Sequence, residues 1–103
     1  MHKNIMPDAL NERVTAELNL AEFSPRFEGT VWEVWVNPPL ARVRAAAKEN
    51  DDETRGMAFV GLLLGFTDEE VKRMDDIDAA FLSWLAFRVT QLYDEYANAY
   101  KKK

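Results

Sequence analysis

Cysteine is absent from the sequence, which removes disulfides, thiolate metal sites and thiol nucleophiles in one step. Histidine is nearly absent. The single one, His2, stands next to the N-terminal residue and leaves no base for a Ser–His or Cys–His pair. The two serines, Ser24 and Ser83, lack the surroundings of a nucleophile elbow. Glycine is scarce, and Gly29, Gly56, Gly61 and Gly65 fit neither the phosphate-loop nor the dinucleotide spacing. Long hydrophobic runs are missing too: Met57 to Phe66 is about half of the ~20 residues a membrane-spanning helix requires. Met1 to Pro7 lacks the apolar stretch of a secretion signal. Positive charge is in deficit, with 13 Lys and Arg against 18 Asp and Glu for a formal net charge of -5. Only Lys101, Lys102 and Lys103 form a basic run, so phosphate backbones meet no basic patch. These absences lead to the expectation of a soluble, cytoplasmic protein that is not an enzyme. They imply no cofactor, no metal, no nucleic-acid partner and no membrane.

What is present is apolar and aromatic. The 103 residues are 48% hydrophobic, 30% charged and 12% aromatic, a globular composition with room for one domain. The expected organisation is a flexible N-terminus over 1–12, a single α+β domain over 13–100 and a basic tail over 101–103. Within that domain a β-hairpin is followed by a bundle of three to four α-helices. In Val14–Leu20 the apolar residues fall on every second position, which predicts a strand with one buried face, although Ala, Glu and Leu also suit a helix there. Thr30–Val36 is β-branched and aromatic almost throughout, which is stronger strand chemistry. Trp32, Val34 and Val36 share one face of it, and Val31, Glu33 and Trp35 share the other. Ser24–Gly29 supplies the turn residues between the two strands.

Pro38 and Pro39 end the second strand, with Asn37 or Pro38 near the cap of a helix over Leu40–Lys48. Thr54 is the expected cap of the next helix, which includes the apolar Met57–Phe66 and closes near Gly65. The spacing of Gly61 and Gly65 is read as close approach of a neighbouring element. Thr67 and Glu70 form a capping box for a short helix ending near Met74. Asp75 or Asp76 caps the last helix, from Ile77 to about Ala99. Its apolar face is Ile77, Phe81, Trp84, Leu85, Leu92 and Tyr96. The opposite side carries Ala79, Ser83, Ala86, Thr90 and Ala97, which is either a seam for a second packing contact or a mild, alanine-rich exposed side.

Carboxylates cluster at 51–53, 68–70 and 75–78, each at a predicted helix start, where capping and the helix dipole account for them. None has a calcium-loop spacing. The tryptophans are more informative. Trp32 and Trp35 point to opposite faces of one strand, so either helices cover both faces or one indole is left for another chain. The candidate protein-binding residues are therefore Trp32, Trp35, Val34 and Phe66. The surplus of apolar area predicts a homo-oligomer.

The stretch Phe27–Leu40, an aromatic strand followed by Asn37-Pro38-Pro39 and a helix, resembles the tail assembly chaperones of long-tailed (siphovirus-type) bacteriophages. Leu64–Glu70, an aromatic-plus-acidic turn, and the apolar helix Ile77–Tyr96 are similar in order and position. The resemblance implies a non-enzymatic α+β protein of the host-cell cytoplasm that binds the phage tape-measure protein and the tail-tube protein, promotes tube assembly and self-associates. It also implies two product lengths, with Lys101–Lys103 as a candidate ribosomal slippage site; physically, the same lysines complement a helix C-terminus. Two other readings stay open: a small acidic adaptor or inhibitor of bacterial or phage origin, and an enzyme subunit whose active site needs a partner chain.

Overall fold

The computed structural model describes residue 10 and residues 12–99. The expectations for most of the N-terminus and for the lysines 101–103 fall outside the described residues. The architecture is α+β, as expected. An antiparallel hairpin of β1 (Thr15–Asn19) and β2 (Val31–Trp35) precedes α1 (Leu40–Ala47), α2 (Asp52–Leu64), α3 (Asp68–Arg73) and α4 (Ala79–Ala99).

Pairing with β2 resolves β1 as strand. Leu18 stands opposite Trp32 and Ala16 opposite Val34, which places the alternating apolar residues of both strands on one face. Leu18 and Val34 are fully buried there, and Leu20 and Val36 nearly so. The ladder runs one pair past each end, through Val36 N–H to Val14 O at 3.0 Å and Leu20 N–H to Thr30 O at 3.0 Å. The connection is no tight turn. It folds into two short 3-10 turns, Leu20–Glu22 and Pro25–Phe27, capped by the side chains of Asn19 and Ser24.

Asn37 does not cap α1. Its carboxamide lies across the strand entry, accepting from Val14 N–H at 2.7 Å and donating to Glu12 O at 2.7 Å. A side chain thus continues the ladder where the prolines cannot. Pro39 occupies the cap position of α1 instead, in extended backbone at φ −66° and ψ 150°.

α2 begins earlier than the sequence suggests. Asp51, not Thr54, is the cap, and its carboxylate accepts from Thr54 N–H at 2.8 Å. Asp is among the strongest caps, and α1 has already ended at Ala47, with Lys48 as its C-cap. At the other end Gly65 takes φ 70°. There Phe66 N–H bonds Gly61 O at 2.9 Å and Gly65 N–H bonds Leu62 O at 3.1 Å, a Schellman closure that turns Phe66 back toward the hairpin.

The capping box forms as expected, with Glu70 N–H donating to Thr67 Oγ1 at 3.2 Å and Thr67 N–H to Glu70 Oε1 at 2.9 Å. A 3-10 turn, Met74–Asp76, then buries Met74 completely. This displaces the next cap. Asp78, rather than Asp75 or Asp76, accepts from Ala80 N–H at 2.8 Å, and Ile77 is extended rather than helical. A cap residue needs extended backbone of its own, which the 3-10 turn denies to Asp75 and Asp76.

The helices cover the inner face of the hairpin. Leu63 of α2 and Phe81, Leu85 and Val89 of α4 close over Leu18 and Val34. Val89 falls within the span of the expected face, between Leu85 and Leu92, although that expectation omits it, and it is fully buried. Among the described residues no polar or charged side chain is buried. No helix of the described residues is long and apolar enough to cross a membrane.

Candidate functional site

β2 presents its two tryptophans differently. Trp32 lies on the inner face, edge-on to Phe66 with centroids 5.9 Å apart and to Phe81 at 6.3 Å. Trp35 lies on the outer face, beneath the Arg13 guanidinium, whose carbon is 4.0 Å from a ring centroid of the indole. This is a cation–π arrangement that fixes the flat of the indole. Its Nε1–H is buried and meets no acceptor among the described residues.

The opposite-face reading of the two indoles is right, yet both border one groove. The groove, about 380 Å³, wraps the free side of β2 and reaches the C-terminal end of α2. Trp32 and Phe66 form one wall, and Trp35 with Arg13 forms another. Three of the four sequence-predicted residues, Trp32, Trp35 and Phe66, are therefore brought together. Val34 is not among them. It is 0% exposed beneath the sheet, so its place is in the core and not at a contact surface. The Schellman closure at Gly65 is what delivers Phe66, and no residue-level signal in β2 could reveal that.

Charge marks the same face. Glu17 and Glu33 stand directly opposite each other on the outer side of the hairpin, and both are exposed. Like charges at directly paired positions destabilise a sheet. Neither has an ion-pair partner among the described residues.

A second apolar surface runs along α4. Two hollows share Ala86 and Thr90 and form one trough: the first, about 370 Å³, lies between α2 and α4, and the second, about 600 Å³, continues along α4 alone. Phe87 stands in it at 65% exposure. The small-residue side is legible in the sequence. Phe87 belongs to the same side although it was not expected there; an aromatic four residues from Ser83 and three from Thr90 is its signal.

Within the acidic clusters Asp51, Glu70 and Asp78 accept from backbone N–H groups at helix starts. Asp51 caps α2, and its carboxyl is held below the usual range by the Thr54 N–H, then by the Thr54 hydroxyl and the Arg55 charge. Asp52 pairs with Arg55, and Glu70 completes the capping box. No group of three His, Cys, Asp or Glu side chains converges as a metal cage among the described residues. His2 lies outside them. No protein-family description matches the chain, and neither do any curated protein or solved structure.

Proposed function

We propose that this protein is a non-enzymatic assembly chaperone that binds a partner chain through the groove along β2. The observation that carries this reading is the gathering of Trp32, Trp35 and Phe66 around one open concavity. Aromatic side chains with a polar handle are the residues that dominate the energetics of protein interfaces. The Phe27–Leu40 and Leu64–Glu70 resemblance makes the partner specific: a phage tape-measure protein, with the tail-tube protein recruited around it. The trough with Phe87 on α4 supports self-association as a second contact surface, since small residues let another helix approach closely.

The test is co-expression with the tape-measure and tail-tube proteins. The tape-measure protein stays soluble and co-purifies with the chaperone, and Trp35→Ala weakens this while the chain remains folded. Light scattering after size exclusion reports a species larger than the monomer that dissociates on dilution. A tape-measure protein that is neither bound nor solubilised overturns the assignment. The acidic hairpin, Glu17 opposite Glu33, also favours an adaptor or inhibitor of a basic partner. Competition of such a partner by DNA would distinguish that reading.

A further inference from the structure

We infer that the open edge of β2 is a strand-addition site for an extended partner segment that carries a lysine or arginine between two apolar residues. The inference rests on the groove being the binding surface and adds the mode and chemistry of what it binds.

The backbone supplies the first part of the argument. In an antiparallel ladder, alternate pairs exchange both hydrogen bonds, and the pairs between them turn their N–H and C=O groups outward. The bonds at Val36–Val14 and Leu20–Thr30 fix which pairs are which. With Ala16 opposite Val34 and Leu18 opposite Trp32, the bonded residues of β2 are the even ones. Val31, Glu33 and Trp35 therefore direct their backbone groups away from β1. These same three residues line the groove. A two-stranded sheet with a free edge is a template for a third strand, and here a concavity lies along that edge. Pro38 and Pro39 follow after Val36 and Asn37 and cannot donate, so the template stops before them and accepts only a short segment.

Side chains choose the occupant. A residue of the added strand that sits beside Glu33 on the outer face meets its exposed carboxylate, with that of Glu17 one strand further across. A lysine or arginine there relieves their repulsion. Its two sequence neighbours point to the inner side, where Trp32, Leu64 and Phe66 offer apolar walls. A second copy of the same strand is the poorer occupant. Antiparallel pairing of β2 with itself about Glu33 would bring four carboxylates onto one face. Shifting the register shortens the overlap or runs it into the prolines.

Binding of the capped peptide Thr-Ile-Lys-Ile-Thr to isotope-labelled protein tests this. The expected result is that the amides of Val31, Glu33 and Trp35 shift together and that their hydrogen exchange slows about tenfold at saturation. N-methylation of alternate peptide amides is done in both phases. One phase weakens binding at least about tenfold and the other is tolerated, because only alternate amides of an edge strand face the sheet. Replacing the central lysine by glutamate weakens binding, and Glu33→Lys reverses that preference. Equal binding of both N-methylated forms, or a helical basic peptide binding more tightly, overturns strand addition. If the Trp35 indole responds but the three amides do not, strand addition falls and the groove stands as a binding surface. If neither responds to any peptide, both readings fall. Concentration-dependent shifts of the three amides in the free protein make a second copy the occupant and overturn the basic-segment assignment.

Discussion

Replacing Gly61 by alanine offers a quantitative test of how α2 and α3 meet. Gly61 is buried, and a Cβ built on it would lie 2.5 Å from Val71 Cγ2 and 3.7 Å from Val71 Cβ. Carbon atoms prefer ~3.5–4.0 Å, so the methyl of Val71 must give by about 1 Å or more. Valine in a helix has one strongly preferred rotamer, and relief therefore means shifting α3 or leaving that rotamer. Overpacking of this kind costs about 1–3 kcal/mol. Against it stands the higher helix propensity of alanine over glycine, about 1 kcal/mol. The net expectation is a loss of about 1 kcal/mol and at most ~2 kcal/mol. For a domain of this size that lowers Tm by roughly 4–8 °C per kcal/mol. Val71→Ala removes Cγ2 and leaves only ordinary contacts, 3.7 Å to Cβ of residue 71 and 3.8 Å to Phe66 Cβ. In that background Gly61→Ala keeps the propensity gain alone and becomes stabilising by up to ~1 kcal/mol. Urea unfolding of the four proteins, followed by circular dichroism, gives the coupling directly. If Gly61→Ala stabilises the chain with Val71 present, or if the two changes add within ~0.3–0.5 kcal/mol, the close approach of α3 is wrong.

The two tryptophans should separate stability from binding. Trp32→Ala removes the contacts to Phe66 and Phe81 and is expected to cost about 2–4 kcal/mol in denaturant unfolding. Trp35→Ala is expected to leave Tm nearly unchanged and weaken partner binding by ~1–3 kcal/mol, read by calorimetry. Asn37→Ala loses both 2.7 Å bonds at the strand entry and should cost about 1–2 kcal/mol, with faster exchange of the Val14 amide. Asp51 has a folded pKa below its unfolded one, chiefly because the Thr54 N–H donates to it. Its contribution is therefore present above the unfolded pKa and is lost as pH falls through the folded value. The Tm difference between the native chain and Asp51→Ala should accordingly be present at neutral pH and close on acidification through the carboxylate range.

Elements whose signals lie within a few residues of one another are legible in the amino-acid order alone. Thr67 and Glu70 answer each other across one helical turn, Gly65 suits the left-handed close of α2, and the alternation in β2 assigns each side chain to a face. Each depends only on near neighbours in the chain. Choices among equivalent local signals are not legible. Asp51 and Thr54 are both good caps, as are Asp75, Asp76 and Asp78, and the choice depends on where the preceding turn stops. In the second case the complete burial of Met74 in a 3-10 turn moves the cap to Asp78.

Consecutive residues are enough to set the inner and outer faces of the two strands, the helical segments that follow and the aromatic character of β2, because period and propensity are properties of neighbours in the chain. That β1 is a strand and not a helix is settled by tertiary structure, since only pairing with β2 buries Leu18 and Leu20 together. Tertiary structure also assigns Val34 to the core, puts Val71 in the space left by Gly61, and joins Phe66 to both tryptophans at one groove. The reason is common to all three. Each is a meeting of residues far apart in the chain or on different elements, set by how the helices close over the hairpin, and no short-range pattern carries that information.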